Sequence, residues 1–208
     1  MRTNRRWFLA GAISVILPLI FTVYARGDRD REEAKFSWDL VHLTSFMPVT
    51  INAGGNASAL ANDLSKITLM GSGTFQVGDA DEVTGGGTWI TFSPTGAETG
   101  RGTYRVTRLI RFELAPGAET PTTIDNIADK ETAHSGLAAF AIRYSDGARG
   151  VLIVSCHLTS GTPDSIFEGV TASKGFVDFW SRVAPVAGVD SNRTAFHSLP
   201  EDEDRDRN

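Results

Sequence analysis

The stretch GLAAFAIRYSDGARGVLIVSCHLTSGTPDSIFEGVTASKGFVDFW, residues 136–180, decides the fold of this chain. It contains four apolar or alternating runs that are separated by glycine-containing turn sequences, which is the pattern of consecutive β-strands. The first two runs flank Asp146-Gly147, a dipeptide with strong turn chemistry for a hairpin. The four predicted strands are Leu137–Ser145, Val151–Leu158, Ser165–Thr171 and Ser173–Trp180.

The segment Thr103–Leu114 gives the clearest alternation upstream of that stretch. With a period of two, apolar side chains share one face of a strand and polar side chains share the other. Arg108 falls on the predicted inner face, where a guanidinium needs a partner or a wet cavity, unless it lies near a rim and reaches water. The predicted inner face otherwise carries Tyr104, Val106, Ile110, Phe112 and Leu114, and the outer face carries Arg105, Thr107, Arg111 and Glu113.

The remaining segments extend this β pattern in both directions. Met47–Asp63 is rich in Ala, Gly and Asn and predicts a loop with at most a helical turn at Ala57–Leu64, and Pro116–Ser135 predicts a long loop that could cover one end. Short, regularly spaced strands are typical of a sandwich or a barrel, and the hairpins and glycines within strands favour the barrel. We therefore predict an all-β fold, a single antiparallel up-and-down β-barrel of about eight strands over residues 36–198. Its further strands are Phe36–Phe46, Ile67–Phe75, Thr88–Phe92 and Arg193–His197.

The first 25 residues have the features of an export signal, predicted as a signal helix. A basic start is followed by the apolar run Phe8–Tyr24 and by small residues at a signal-peptidase site. An uncleaved membrane anchor is the alternative, because the run is near the lower length limit for a membrane span. Residues 26–35 then predict a charged linker, and residues 199–208 a disordered acidic tail. Arg5, Arg6, Phe8 and Leu9 resemble the twin-arginine motif, although an ordinary secretory signal is also basic.

The charge and cysteine content exclude several classes of protein. The chain has 20 basic and 25 acidic residues, and removal of residues 1–25 takes away three arginines and no acids, so the balance moves from −5 to 17 − 25 = −8. Nucleic acid is not an expected partner, because phosphate contacts need clustered cations. Membrane contact is expected only through the signal segment. The single Cys156 forms no internal disulfide, so stability must come from the core.

Four blocks of the chain resemble uncharacterised exported bacterial proteins: Ile67–Phe75, Gly85–Trp89, Tyr144–Leu158 and Ser165–Trp180. A weaker resemblance links Phe167–Gly175 to the allene oxide cyclase and dirigent barrel group, whose late strands share the rhythm Phe-x-Gly-x-Thr/Ser-x-x-Gly. That second resemblance implies an eight-stranded barrel with a central cavity. It carries over no catalytic residue, since none of those families' catalytic positions matches a residue here.

The candidate chemistry lies around Cys156 and His157. These neighbours on a strand point to opposite faces, so they cannot act as a nucleophile and its base, and Cys156 is expected to be core. His157 could meet Glu168, Asp164 or Asp178 in acid–base work or metal binding, or it could be an ordinary hydrogen-bonded histidine. The spacing of these residues matches no known metal site, so neither a metal nor another cofactor is predicted.

Two functional readings follow, both for an exported monomer in the periplasm or outside the cell. The first is a barrel that binds a small apolar ligand or a cell-envelope partner without catalysis. The second is an enzyme of cyclase or isomerase type in the barrel interior, using Arg108, His157 and a carboxylate such as Glu168. A surface interaction protein is a third possibility, marked by an exposed apolar patch. The predicted ligand-contacting residues, which could equally be plain core, are Trp38, Trp89, Tyr104 and Phe167.

Overall fold

The computed structural model describes residues 34–117, 122–157, 161–183 and 192–200. The signal segment, most of the linker and most of the acidic tail lie outside the described residues, so those assignments stay predictions. Among the described residues there is no helix with the length and hydropathy that a membrane crossing requires.

The described chain consists almost wholly of β-strands, which confirms the all-β prediction. Its helical structure is one short 3₁₀ turn at Lys130–Thr132. The strands are β1 (Lys35–Phe46), β2 (Val49–Ala53), β3 (Ala57–Leu60), β4 (Lys66–Gln76), β5 (Asp79–Val83), β6 (Gly86–Phe92), β7 (Glu98–Ala115), β8 (Ile124–Asp125), β9 (Ala133–Tyr144), β10 (Arg149–Cys156), β11 (Gly169–Lys174), β12 (Val177–Phe179), β13 (Ser181–Arg182) and β14 (Arg193–Ser198).

The fourteen strands of the described ranges join in one sheet that closes on itself, but the ring is not a regular barrel. Strands β4, β6, β7, β9, β10, β11 and β12 form an antiparallel meander, as the hairpin pattern predicts. The ring closes because β14 pairs with β1 on one side and with β9 on the other, giving the circuit β1-β4-β6-β7-β9-β14. The prediction of a single eight-stranded up-and-down barrel is therefore wrong. The short strands β2, β3, β5, β8 and β13 pair outside that circuit.

Two predicted boundaries are wrong for identifiable reasons. The predicted loop Met47–Asp63 contains β2 and β3. Ala, Gly and Asn have low strand propensity, but Ala57 and Ala59 are fully buried, so burial overrides propensity there. In the second hairpin the turn falls at Gly175-Phe176 rather than at Ala172, because Lys174 pairs with Val177 and Gly175 takes a φ of 61°.

Strand β7 shows why Arg108 is not an inward residue. Register shifts between Val106 and Arg108 and between Leu109 and Arg111 each insert one residue into the strand. Every such bulge reverses the alternation of faces. As a result Leu109 is buried, while Arg108 and Ile110 are exposed. The prediction that Arg108 points inward is therefore wrong, because its side chain is exposed to solvent.

Interlocking aromatic side chains fill the interior of the ring. The ring centroids of Trp38 and Phe140 lie 5.4 Å apart, and Phe75 lies 5.5 Å from Phe140 and 4.9 Å from Phe112. A Cβ atom on Gly73 would lie 2.8 Å from Trp38 Nε1, so glycine is needed in β4 for this close packing. The glycines within β4 thus make room for large core side chains.

We expect Phe140→Ala to lower the free energy of unfolding by about 3–5 kcal/mol, because it leaves a cavity among rings that cannot collapse. The matched control is Phe176→Ala, at a fully exposed turn position, which should change stability by less than about 0.5 kcal/mol. Chemical denaturation followed by tryptophan fluorescence measures both. Equal effects of the two substitutions would contradict the packed interior.

Candidate functional site

The outer face of β1 is apolar as well as its inner face, which is unusual for a strand of a closed ring. Trp38 and Leu40 point into the core, whereas Val41 and Leu43 point outward. The outward pair packs against Ile51 of β2 and Ala195 of β14, forming a second, smaller apolar cluster. Apolar side chains on both faces of a strand indicate that something covers the outer one.

A cleft of about 150 Å³ opens at this second cluster. Its walls are aliphatic and aromatic on one side, and its other side carries the ends of β10 and β14 with their polar side chains. The lining residues are Val41, Leu43, Phe46, Val49, Ile51, Thr123, His157, Glu168, Arg193 and Thr194.

Glu168 joins the end of β10 to the start of β14 across the floor of this cleft. Its Oε2 accepts a hydrogen bond of 2.6 Å from the backbone N–H of His157, and its Oε1 accepts one of 2.6 Å from the backbone N–H of Thr194. Burial raises the pKa of Glu168 to about 7, although these backbone donors and the nearby charge of Arg193 favour the ionised form. Glu168 is therefore a carboxyl group that can exchange a proton near neutral pH.

The ring of His157 is oriented by the chain that leads to Glu168. Its Nδ1 lies 2.7 Å from the carbonyl oxygen of Ile166. A carbonyl only accepts hydrogen bonds, so Nδ1 carries the proton and donates it, which leaves Nε2 as the acceptor of the neutral ring. Cys156 lies on the opposite face, fully buried, and its Sγ donates to the carbonyl of Thr194 at 3.2 Å. The prediction that Cys156 is core is confirmed.

Arg193 brings a positive charge to the same cleft. It is the first residue of β14, on the outer face that also carries Ala195 and His197. No described residue accepts a hydrogen bond from its guanidinium or forms an ion pair with it, and its charge is felt by Glu168 only at a distance. Sequence reasoning missed Arg193, because its role depends on where β14 closes the ring.

The segment 122–132 covers the rest of the outer face, and a buried acid–histidine cluster holds it there. Asp125 of β8 lies 3.0 Å from Nε2 of His197, and both side chains are almost fully buried. Asp39 of β1 is buried close to both. Strand β8 also pairs in parallel with β2 at Thr50 and Ile51. The predicted covering loop therefore lies against the side of the ring rather than over one end.

The protonation states in this cluster are set by burial and by mutual charge. Burial raises the pKa of Asp39 to about 6; the charge of His197 acts against this shift and the charge of Asp125 acts with it. Burial also opposes ionisation of Asp125, but hydrogen bonds from His197 and from the backbone N–H of Ile127 outweigh it and lower its pKa. This cluster is hard to predict from the sequence, because its members lie far apart in the chain. The one signal is Asp39, an acidic residue within the apolar run of β1.

The structure brings His157 and Glu168 together and leaves the other predicted site residues elsewhere. Arg108 does not line the cleft that holds them. Trp38, Trp89 and Tyr104 are core residues, with Trp89 Nε1 donating to the carbonyl of Thr103. Phe167 packs under the guanidinium of Arg182 instead of lining the cleft. Within the described ranges no three His, Cys, Asp or Glu side chains are placed to share a metal ion.

Comparisons with protein-family models, with curated proteins and with solved structures found no match to this chain.

We expect Asp39→Asn to change how stability depends on pH. A carboxyl whose folded pKa is raised stabilises the fold fully below its unfolded pKa of about 4, and this contribution is lost as pH rises through 6. The uncharged side chain of Asp39→Asn does not titrate. Between pH 4 and pH 7 its free energy of unfolding should therefore rise by on the order of 2 kcal/mol relative to that of the wild type. Urea denaturation at a series of pH values measures the difference. Asp81→Asn on the exposed strand β5 is the control, and a pH-independent difference for Asp39→Asn would contradict burial of its charge.

We expect Asp125→Ala to loosen the segment 122–132. Removing one partner of a buried pair should lower the free energy of unfolding by roughly 3 kcal/mol and speed amide hydrogen exchange in this segment first. Hydrogen exchange with mass spectrometry resolves the segment from the ring. The exposed Glu131→Gln in the same segment is the control and should leave exchange unchanged. Unchanged exchange in Asp125→Ala would show that the cluster does not hold the segment.

Proposed function

We propose that this chain is an exported protein that binds a small, mostly apolar ligand in the cleft between β1, β2 and β14, without catalysis. The observation that carries the proposal is the cleft itself, which combines an apolar wall with a polar end. Such a combination is typical of sites that hold an apolar body and orient it by a few polar groups. Export is supported by the twin-arginine-like start of the sequence.

The cleft is a better candidate than the interior of the ring. Trp38, Phe75, Phe140 and Phe196 are fully buried and contact one another or shared neighbours. An interior with this packing offers no lining for a ligand. By contrast, Val49 and Phe46 at the edge of the cleft remain partly exposed and accessible.

The size of the cleft limits what it can hold. A cavity of about 150 Å³ with apolar walls takes a molecule the size of benzene. The ligand, or the part of it that enters, is therefore a single ring or a branched aliphatic group. Exposed Phe46 and Met47 extend the apolar surface outward from the cleft, so a larger cell-envelope molecule can insert one such group and rest on them.

An enzyme is the second candidate, favoured by one observation. His157 and Glu168 line the same cleft, and Glu168 has a pKa of about 7, which suits proton transfer. Arg193, not Arg108, would then supply the positive charge. Against catalysis, each oxygen of Glu168 already accepts a backbone hydrogen bond, so one lone pair on each oxygen serves to join β10 to β14.

A cleft-filling substitution tests the proposal. We expect Val49→Trp to abolish binding of fluorobenzene, measured by ¹⁹F NMR line broadening, because the indole occupies the space between β1 and β2. The wild type should bind the probe. The control is Val83→Trp on β5, a partly exposed valine that does not line the cleft. Binding that persists in Val49→Trp, or no binding in the wild type, would contradict the proposed site.

A further inference from the structure

We infer that the natural ligand of this cleft is a carboxylate, a ring-sized or branched apolar body whose anionic group pairs with the guanidinium of Arg193. This inference rests on the proposed function, since it assigns the head group of the same ligand. The polar end of the cleft carries groups that already have hydrogen-bond partners in the protein and one charged group, Arg193, whose guanidinium has none among the described residues.

Glu168 forms hydrogen bonds that hold two parts of the backbone together. Its two oxygens accept hydrogen bonds of 2.6 Å from the backbone N–H groups of His157 and Thr194, while the Thr194 hydroxyl donates to the carbonyl of Ser155. These donors belong to β14 and to the residue that follows β10, so the carboxyl group links the start of β14 to the end of β10. A cationic ligand would have to share a carboxyl group whose two oxygens each already accept a backbone hydrogen bond.

Arg193 has no hydrogen-bond acceptor for its guanidinium among the described residues, although its charge favours the ionised form of Glu168. Its guanidinium forms neither a hydrogen bond nor an ion pair with any residue in the described part of the chain, yet it lines an apolar cleft. A planar guanidinium offers a fork of donors whose geometry matches a carboxylate. In an apolar setting, such a pair is stronger than in open water, because the local dielectric constant is lower.

His157 does not compete with Arg193 for the anionic group of the ligand. Its Nδ1 donates to the carbonyl of Ile166, and in the tautomer that follows Nε2 is an acceptor, which offers a carboxylate no proton. The apolar wall of Val41, Leu43 and Ile51 lies in the same cleft and takes the body of the ligand.

The inference includes a proton linkage through Glu168. A bound anion lies near a carboxyl group, and two like charges at short range disfavour ionisation of both. Since burial already raises the pKa of Glu168 to about 7, the arriving carboxylate shifts Glu168 toward its neutral form. Binding should therefore take up a proton near neutral pH and be tighter at pH 6 than at pH 8.

The experiment compares three probes of one shape: 4-fluorophenylacetate, 2-(4-fluorophenyl)ethanol and 2-(4-fluorophenyl)ethylamine. ¹⁹F NMR titration of the full mature chain gives the three affinities. We expect the carboxylate to bind at least about tenfold more tightly than the alcohol, as one charge-assisted contact predicts. In Arg193→Gln this preference should vanish while the alcohol binds as before. Arg193→Lys keeps the positive charge but loses the forked pair of donors. Its preference for the carboxylate over the alcohol should lie between those of the wild type and Arg193→Gln.

The control variant is Arg105→Gln, an exposed arginine on β7, which should change none of the affinities. Thermal unfolding checks that each variant folds. Equal affinity for the acid and the alcohol in the wild type would overturn the inference and leave the proposed function standing. Preference for the amine would overturn it in favour of recognition by Glu168. No binding of any probe would overturn the proposed function itself.

Discussion

The structure depends on how its last strand closes the sheet. Strand β14 pairs with the first strand, β1, and with β9, so Phe196 lies opposite both Trp38 and His134. Without β14, the edge of β1 that it covers would be open, as would the start of β9 at Ala133 and His134, and water could reach the aromatic interior there. Closure also buries β14 on both faces, as it does β1, with Phe196 in the core and Ala195 in the outer cluster.

The cleft lies outside the ring because β1 and β14 carry apolar side chains on their outer faces as well. The outer face of β1 and β14 needs a cover, and the segment around β8 supplies most of it through the pair of Asp125 and His197. The cover is incomplete where β10 ends and β14 begins, and there the cleft lies. The cluster that holds the cover in place and the cleft thus occupy neighbouring parts of one surface.

Sequence reasoning recovered the local features and missed those that depend on distant contacts. The hairpin of β9 and β10 follows from Asp146-Gly147, because its turn chemistry is local. The two bulges of β7 show in the sequence only as Arg108 on the apolar face and Leu109 on the polar one, which does not locate two inserted residues, so the alternation predicts the wrong face for Arg108. His157 and Glu168 could be paired from sequence since they lie close in the chain, whereas Arg193 enters the site only when β14 closes the ring.

If ligands bind in the outer cleft and not inside the ring, xenon should enter the cleft, because it occupies apolar cavities without needing polar contacts. Methyl NMR of the purified protein under xenon pressure should therefore show shifts for the methyl groups of Val41, Leu43, Val49 and Ile51, and none for the core methyl groups of Ile67, Leu69, Leu152 and Val154. Shifts confined to the core methyl groups would contradict binding in the outer cleft.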